Sequence, residues 1–171
     1  HVLNQFSLDE YDGYLRIATT EGRAGRWIVD VDGGNVSQNH LFVLGQDGDT
    51  LEIVGSVEGL APNEKIYSAR FMGDQAFVVT YRKVDPLFAI DLSDPTSPSV
   101  EGELKVPGFS NYLHPVEGGY LIGVGRDAEV STGLFQDPQV SLFDVTDLTN
   151  PQLADRYTIP TGRAGGQNIF D

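Results

Sequence analysis

The sequence predicts an all-β chain organised as a repeat of four-stranded antiparallel units. Three observations carry this. Runs rich in β-branched and aromatic residues, each about strand length, follow one another along the 171 residues. No window keeps apolar residues at i, i+3, i+4 and i+7 over the ~10 or more residues a helix needs. And a pattern recurs: "LFAIDLSDPTSP" (Leu87–Pro98) returns as "VSLFDVTDLTNP" (Val140–Pro151). The offset is the same at both ends, 144 − 91 = 53 for the aspartates and 151 − 98 = 53 for the prolines.

Taken in order, the second unit is the clearest. "KIYSARF" (65–71), "AFVVTYR" (76–82), "PLFAIDL" (86–92) and "SVEGELKV" (99–106) are four strands, separated by "GDQ", "KVD" and "SDPTSP". The third repeats the plan with "FSNYLHP" (109–115), "YLIGVG" (120–125), "VSLFDV" (140–145) and "LADRYTI" (153–159). The first is looser: "LNQFSL" (3–8), "YLRIATT" (14–20), "HLFVLG" (40–45) and "LEIVGSV" (51–57), with "WIVDV" (27–31) inside its long connection. The tail "GRAGGQNIFD" (162–171) reads as the start of a further unit. The 20 glycines and nine prolines are scattered, so they punctuate short elements rather than form a linker.

Four-stranded units at roughly 45 to 50 residues predict β-propeller blades. The second and third strands of each unit are almost wholly apolar, as a sheet buried on both faces demands. A sandwich or barrel would alternate more and show no internal repeat. The expected division is blades at roughly 1–60, 61–108 and 109–161, with 162–171 opening another. Propellers close with four to eight blades. Three and a stub therefore predict either a longer natural protein or assembly with another copy of the chain.

The recurring turn has a structural reading. Asp91 and Asp144 stand where a carboxylate accepts backbone N–H bonds, and Ser93-Asp94 and Thr146-Asp147 offer more acceptors. Pro98 and Pro151 lack an N–H and suit the start of an edge strand.

At these residues a resemblance becomes specific. The stretch from "LAPNEKIYSARF" (Leu60–Phe71) through "SNYLHP" (Ser110–Pro115), continued by "VSLFDVTDLTNP", resembles the bacterial and archaeal secreted β-propeller family. Its C-terminal propeller is described as distantly related to WD40 repeats. The resemblance runs from about Asn4 to Ile159. It implies an extracytoplasmic, secreted or cell-surface protein with no established enzymatic activity, so no catalytic residue is carried over. Members of that family are usually several times longer, and "TIPTGRAGGQNIFD" departs from what would follow the third unit.

Composition narrows the partners. The net charge of −14, from 25 acids against 11 bases, disfavours nucleic acid and anionic membrane surfaces. No apolar run approaches the ~18 residues of a membrane span. No signal peptide is visible, and a first residue of His1 rather than Met suggests a processed or excised chain. Without cysteine there is no disulfide, thiol nucleophile or thiolate metal site.

Motifs for chemistry are thin. "DVDGGN" (Asp30–Asn35) has the oxygen spacing of the first half of a calcium loop, through Asp30, Asp32 and Asn35. The acid expected about six residues past Gly33 is missing, since Asn39 and His40 stand there, so an Asp/Gly turn is the better reading and no cofactor is predicted. His1, His40 and His114 fall in different units with no ligand spacing. "GVGRDAEV" (123–130) has no third glycine, and no nucleophile elbow or phosphate loop occurs.

The remaining signal lies in the connections. Second strands repeat at an offset of 121 − 77 = 44 but third strands at 53, so extra residues fall within Arg126–Pro138. The first unit has its own excess at the same place, Glu21–Asn39. With "RKVD" (Arg82–Asp85), these are expected to line one rim, where loops carry function. They offer Arg23, Arg26, Arg82, Lys83 and Arg126, with Trp27 and Phe135 as apolar anchors, residue types in which binding energy concentrates. The expectation is a binding or scaffolding module for a protein or glycan at the cell exterior. The alternative is a secreted glycoside or ester hydrolase using carboxylates at the channel mouth.

Overall fold

The computed structural model describes residues 1–22, 37–81, 85–129 and 135–160. Twelve strands form three four-stranded antiparallel sheets. The first holds β1 (Leu8–Tyr11), β2 (Tyr14–Gly22), β3 (Ser37–Asp47) and β4 (Thr50–Leu60). The second holds β5 (Lys65–Met72), β6 (Gln75–Tyr81), β7 (Asp85–Asp91) and β8 (Ser99–Val106). The third holds β9 (Phe109–Val116), β10 (Tyr120–Ala128), β11 (Phe135–Asp144) and β12 (Gln152–Thr158). Each sheet is ordered as its strands occur in the chain. The all-β propeller-type architecture read from the repeat is what the chain forms.

Three local expectations are corrected. The first strand was expected over 3–8 but starts at Leu8. Before it, Gln5–Ser7 form a 3₁₀ turn, because the Asn4 side chain accepts the Phe6 N–H at 2.9 Å and caps it. The sheet registers pair Gln75 with Asp91 and Tyr120 with Asp144, so second strands are offset by 120 − 75 = 45 rather than 44. The turn Glu117–Gly119 is one residue longer than Gly73–Asp74, which accounts for the difference. Finally, much of the supposed loop Arg126–Pro138 is strand: Arg126 pairs with Pro138 and Ala128 with Phe135.

The sheets stack face to face. Ala76, Val78, Phe88 and Ile90 of the second sheet pack with Ala18, Leu41 and Val43 of the first in one core. On the opposite face, Phe77, Val79, Leu87 and Ala89 pack with Leu113, Leu121 and Phe143 of the third in another. The middle sheet is thus apolar on both faces because both are covered. β5 packs closely along β9, whereas β8 and β12 barely touch. The sheets therefore converge at their first strands and splay at their fourth, as blades around an axis do.

The repeated turns behave as read, and do something more. Asp91 accepts the Ser93 N–H at 2.9 Å and Asp94 that of Thr96 at 2.9 Å. Asp144 and Asp147 do the same for Thr146 (3.1 Å) and Thr149 (3.0 Å). Each stiffened loop is also a plug pressed onto the outer strand of the preceding sheet. A Cβ on Gly55 of β4 would lie 2.3 Å from the Pro95 carbonyl oxygen and 2.7 Å from Pro98 Cδ. A Cβ on Gly102 of β8 would lie 2.2 Å from the Leu148 carbonyl oxygen and 2.7 Å from Pro151 Cδ. Only a bare Cα makes a socket for such an approach.

Candidate functional site

The strand ends that bracket the second-to-third-strand connections lie on one rim. On its first-to-second-sheet side the rim is a polar lattice. Asn39 Nδ2 donates to the carbonyls of Leu60 (2.9 Å), Ala61 (3.3 Å) and Glu64 (3.3 Å), while Ser37 Oγ donates to Glu64 O at 2.9 Å. Thr80 Oγ1 donates to the Glu64 carboxylate at 2.5 Å, and Thr20 Oγ1 to Asn39 Oδ1 at 2.6 Å. These bonds tie the ends of β2 and β3 to the start of β5 and the end of β6.

On the second-to-third-sheet side the rim is aromatic. Tyr67 (β5), Tyr81 (β6), Phe109 (β9) and Phe135 (β11) form one cluster. Ring centroids lie 5.6 Å apart for Tyr67–Tyr81, 5.2 Å for Tyr81–Phe109, 5.5 Å for Tyr81–Phe135 and 4.7 Å for Phe109–Phe135, all edge-on or tilted. Lys65 Nζ stands 4.9 Å over the Tyr67 ring. Tyr81 and Phe109 are buried, whereas Phe135 is 42% exposed. A rigid aromatic base carrying one accessible ring is suited to gripping an apolar group.

Of the residues singled out in the sequence, Phe135 is placed on this cluster. Arg126 lies within the same sheet but is only 7% exposed; its Nε and Nη2 donate to the Gln136 carbonyl at 3.1 and 2.8 Å. Its guanidinium is spent holding β10 to β11 at their register shift. Arg23, Arg26, Trp27, Arg82 and Lys83 lie outside the described residues, as do Asp30, Asp32 and Asn35. Tyr67, Tyr81 and Phe109 were missed. The available signal was an aromatic at the rim end of successive strands, which resembles ordinary core composition until register shows the rings meeting.

A second cluster lies along the innermost strands. Arg70 (β5) donates from Nε to Leu113 O at 3.0 Å and from Nη2 to the Tyr112 hydroxyl at 3.2 Å. Its guanidinium lies 4.6 Å from the Phe6 ring and 5.5 Å from that of Tyr112. The Tyr112 hydroxyl meets His114 Nδ1 at 3.0 Å. His114 is thus hydrogen-bonded on the inner strand, exposed at its far side. His40 is buried, stacks on Phe42 and lies 3.6 Å from the Glu21 carboxylate, and the His1 amino terminus donates to Thr20 O at 2.9 Å. The three histidines therefore do not converge. Among the described residues no group of three His, Asp or Glu gathers as a metal would require. No helix among them is long and apolar enough to cross a membrane.

The sequence profile of the beta propeller domain family matches residues 1–167. The chain belongs to the beta propeller domain family. It is 43% identical over 159 residues to an uncharacterised protein of Methanocaldococcus jannaschii, covering 93% of this chain and 23% of that one. It is 45% identical over 158 residues to an uncharacterised protein of Archaeoglobus fulgidus, covering 92% of this chain and 22% of that one. The chain thus spans less than a quarter of the length of the curated relatives it matches.

Proposed function

We propose that this propeller is an extracytoplasmic binding module that takes a protein partner on its aromatic rim. The observation that carries the reading is Phe135, an accessible ring set against the buried rings of Tyr81 and Phe109, with Tyr81 at the strand end before the connection that bears Arg82 and Lys83. Large aromatics anchored this way bury area at little entropic cost. A protein is favoured over a glycan because Phe135 meets Tyr81 and Phe109 at a tilt, so the described rings do not line up as one flat platform for a sugar face. The extracytoplasmic setting rests on the resemblance in sequence alone.

The test is capture from a displayed library of the source organism's surface proteins, run beside a glycan array. Phe135→Ala combined with Trp27→Ala is expected to weaken capture at least tenfold, about 1.4 kcal/mol or more. The melting temperature should move by only a few degrees. Binding confined to the glycan array would replace the protein partner by a carbohydrate. Unchanged capture by the double variant would remove the rim from the reading.

A further inference from the structure

The sheet registers allow the blades to be matched position by position. Val43 pairs with Gly55, Ala89 with Gly102 and Leu142 with Asp155, each beside the same one-residue register shift. Val43 also pairs with Arg16 and Ala89 with Phe77, so Arg16 of the first blade occupies the place of Phe77 in the second. Tyr11 likewise occupies that of Met72, each paired across its hairpin with the residue two before Arg16 or Phe77. Across the groove Asp74 takes the place of Gly119, their carbonyls accepting the Leu92 and Val145 N–H at 2.8 and 2.9 Å. Pro95 takes that of Leu148, each pressed onto a socket glycine. Between the second and third sheets this level is closed and apolar: Phe77 is fully buried, and Met72 and Leu148 pack against the core. Between the first and second it holds a cavity of about 60 Å³. Tyr11, Tyr14 and Arg16 line it from the first blade, Asp74, Leu92 and Pro95 from the second, and Asp12 joins them. Both walls are blades of this chain, and the cavity lies on the rim opposite the aromatic cluster.

We propose that this cavity binds the primary ammonium end of an aliphatic chain. The exchange of side chains within the repeat marks it as a site. The same level in the next groove is filled with apolar residues, and a buried ion pair in their place contributes little or nothing to stability by comparison. Stability alone therefore gives no reason for Arg16. Charge selects the ligand. Arg16 is 3% exposed and its charge is already answered: the guanidinium donates to the Asp9 carboxylate and the Gly73 carbonyl, 4.8 Å from the Tyr11 ring and 5.2 Å from that of Phe71. Asp12 and Asp74 are exposed, and among the described residues neither has a basic partner. Arg16 against Asp9, Asp12 and Asp74 leaves the cavity two charges negative, in a chain whose balance of −14 concentrates cations around it. The rings of Tyr11, 48% exposed, and Tyr14 add faces that attract an ammonium group. Volume selects the shape. About 60 Å³ holds a few heavy atoms, far below the roughly 300 Å³ at which pockets enclose a whole small molecule. The site thus takes the end of a chain, whose stem lies against Leu92 and Pro95.

Titrations followed by amide NMR at constant ionic strength test this. n-Butylammonium should shift the Gly13, Asp74 and Ser93 amides saturably, whereas butan-1-ol and butyrate, of the same length, should not. Asp74→Asn should weaken binding about tenfold, the loss of a hydrogen bond to a charged group. Glu101→Gln removes the same charge from an exposed position on β8 and should leave binding unchanged. Tyr11→Met combined with Pro95→Leu copies the closed groove and should abolish binding, with circular dichroism confirming that the variant is folded. Nα-acetyl-lysine amide is titrated beside n-butylammonium, and whichever binds tighter tells a protein lysine from a free amine as the source. Equal binding of butan-1-ol or butyrate overturns the proposal. So does an equal loss in Glu101→Gln, which would make the effect one of net charge, or full binding by the folded Tyr11→Met, Pro95→Leu variant.

Discussion

At the scale of single residues, charge and packing separate side chains that look alike in the sequence. Arg126 and Phe135 both stood out as rim candidates, yet one is buried in its own hairpin and the other is open to solvent. Arg126→Ala would remove a buried side chain and its two charged donors to the Gln136 carbonyl, and hydrogen bonds from a charged group contribute about 1.5–3 kcal/mol. Its urea midpoint should fall accordingly, while Phe135→Ala shifts the midpoint less and acts on partner capture. The reverse pattern would mean that Arg126 reaches the partner after all. Glycine divides in the same way. Gly102→Ala would drive a Cβ to 2.2 Å from a backbone oxygen, and overpacking of that kind costs about 1–3 kcal/mol. Gly55→Ala should cost a similar amount. Asp155→Ala, at the equivalent place in the third sheet, should stay within about 0.5 kcal/mol, as exposed substitutions do. Equal losses at all three positions would show that the plug does not distinguish them.

At the scale of elements, the Asp-x-Ser/Thr-Asp-x-Thr-x-Pro turns carry a pH dependence. The Thr96 hydroxyl, and then its backbone N–H, hold the Asp94 carboxyl below the ordinary carboxylate range, and Thr146 does the same for Asp144. A carboxyl depressed in the folded state stabilises fully above the unfolded pKa. That stabilisation is lost as pH falls through the folded value, so the window lies below about pH 4. Asp94→Asn with Asp144→Asn keeps an acceptor oxygen but cannot titrate. Melting temperatures of the double variant and wild type, compared at neutral pH and across the acid limb, should show a shallower acid decline for the variant. Identical slopes would assign acid unfolding to other carboxylates. The turn's hydrogen bonding was legible in the sequence because Asx and Ser/Thr turns are local, closing over two residues. Its second task was not. The contact of Pro98 with Gly55 joins residues 43 apart (98 − 55) in different sheets, and nothing near either residue marks it. The rim aromatics were hidden for the same reason, since Tyr67, Tyr81, Phe109 and Phe135 meet only once strand register is known.

At the scale of the whole molecule, the apolar second and third strands announced sheets covered on both faces, and the middle sheet is such a sheet. That its two faces are covered by different neighbours, the first sheet on one side and the third on the other, is a property of stacking order, and it needed the structure. Net charge acts at this scale too. Against a balance of −14, the described residues include ion pairs of Arg16 with Asp9 and of Lys105 with Glu103 at 3.2 Å, and His40 lies 3.6 Å from the Glu21 carboxylate. Lys105 is largely exposed, and such surface pairs contribute about 0–1 kcal/mol. Arg70 is held by aromatic rings and oxygen acceptors rather than by a carboxylate, so it relieves little of the acidic repulsion locally. Like-charge repulsion across the surface should therefore outweigh specific attraction. Raising sodium chloride from about 0.01 M to about 1 M shortens the screening length from about 30 Å to about 3 Å. That removes the long-range repulsion and costs only the weak exposed pairs. The melting temperature should rise by several degrees over this range at neutral pH, with most of the gain in the first few tenths molar, where screening changes fastest. A melting temperature that falls as salt is added would show that ion pairs, not repulsion, dominate the electrostatics of the fold.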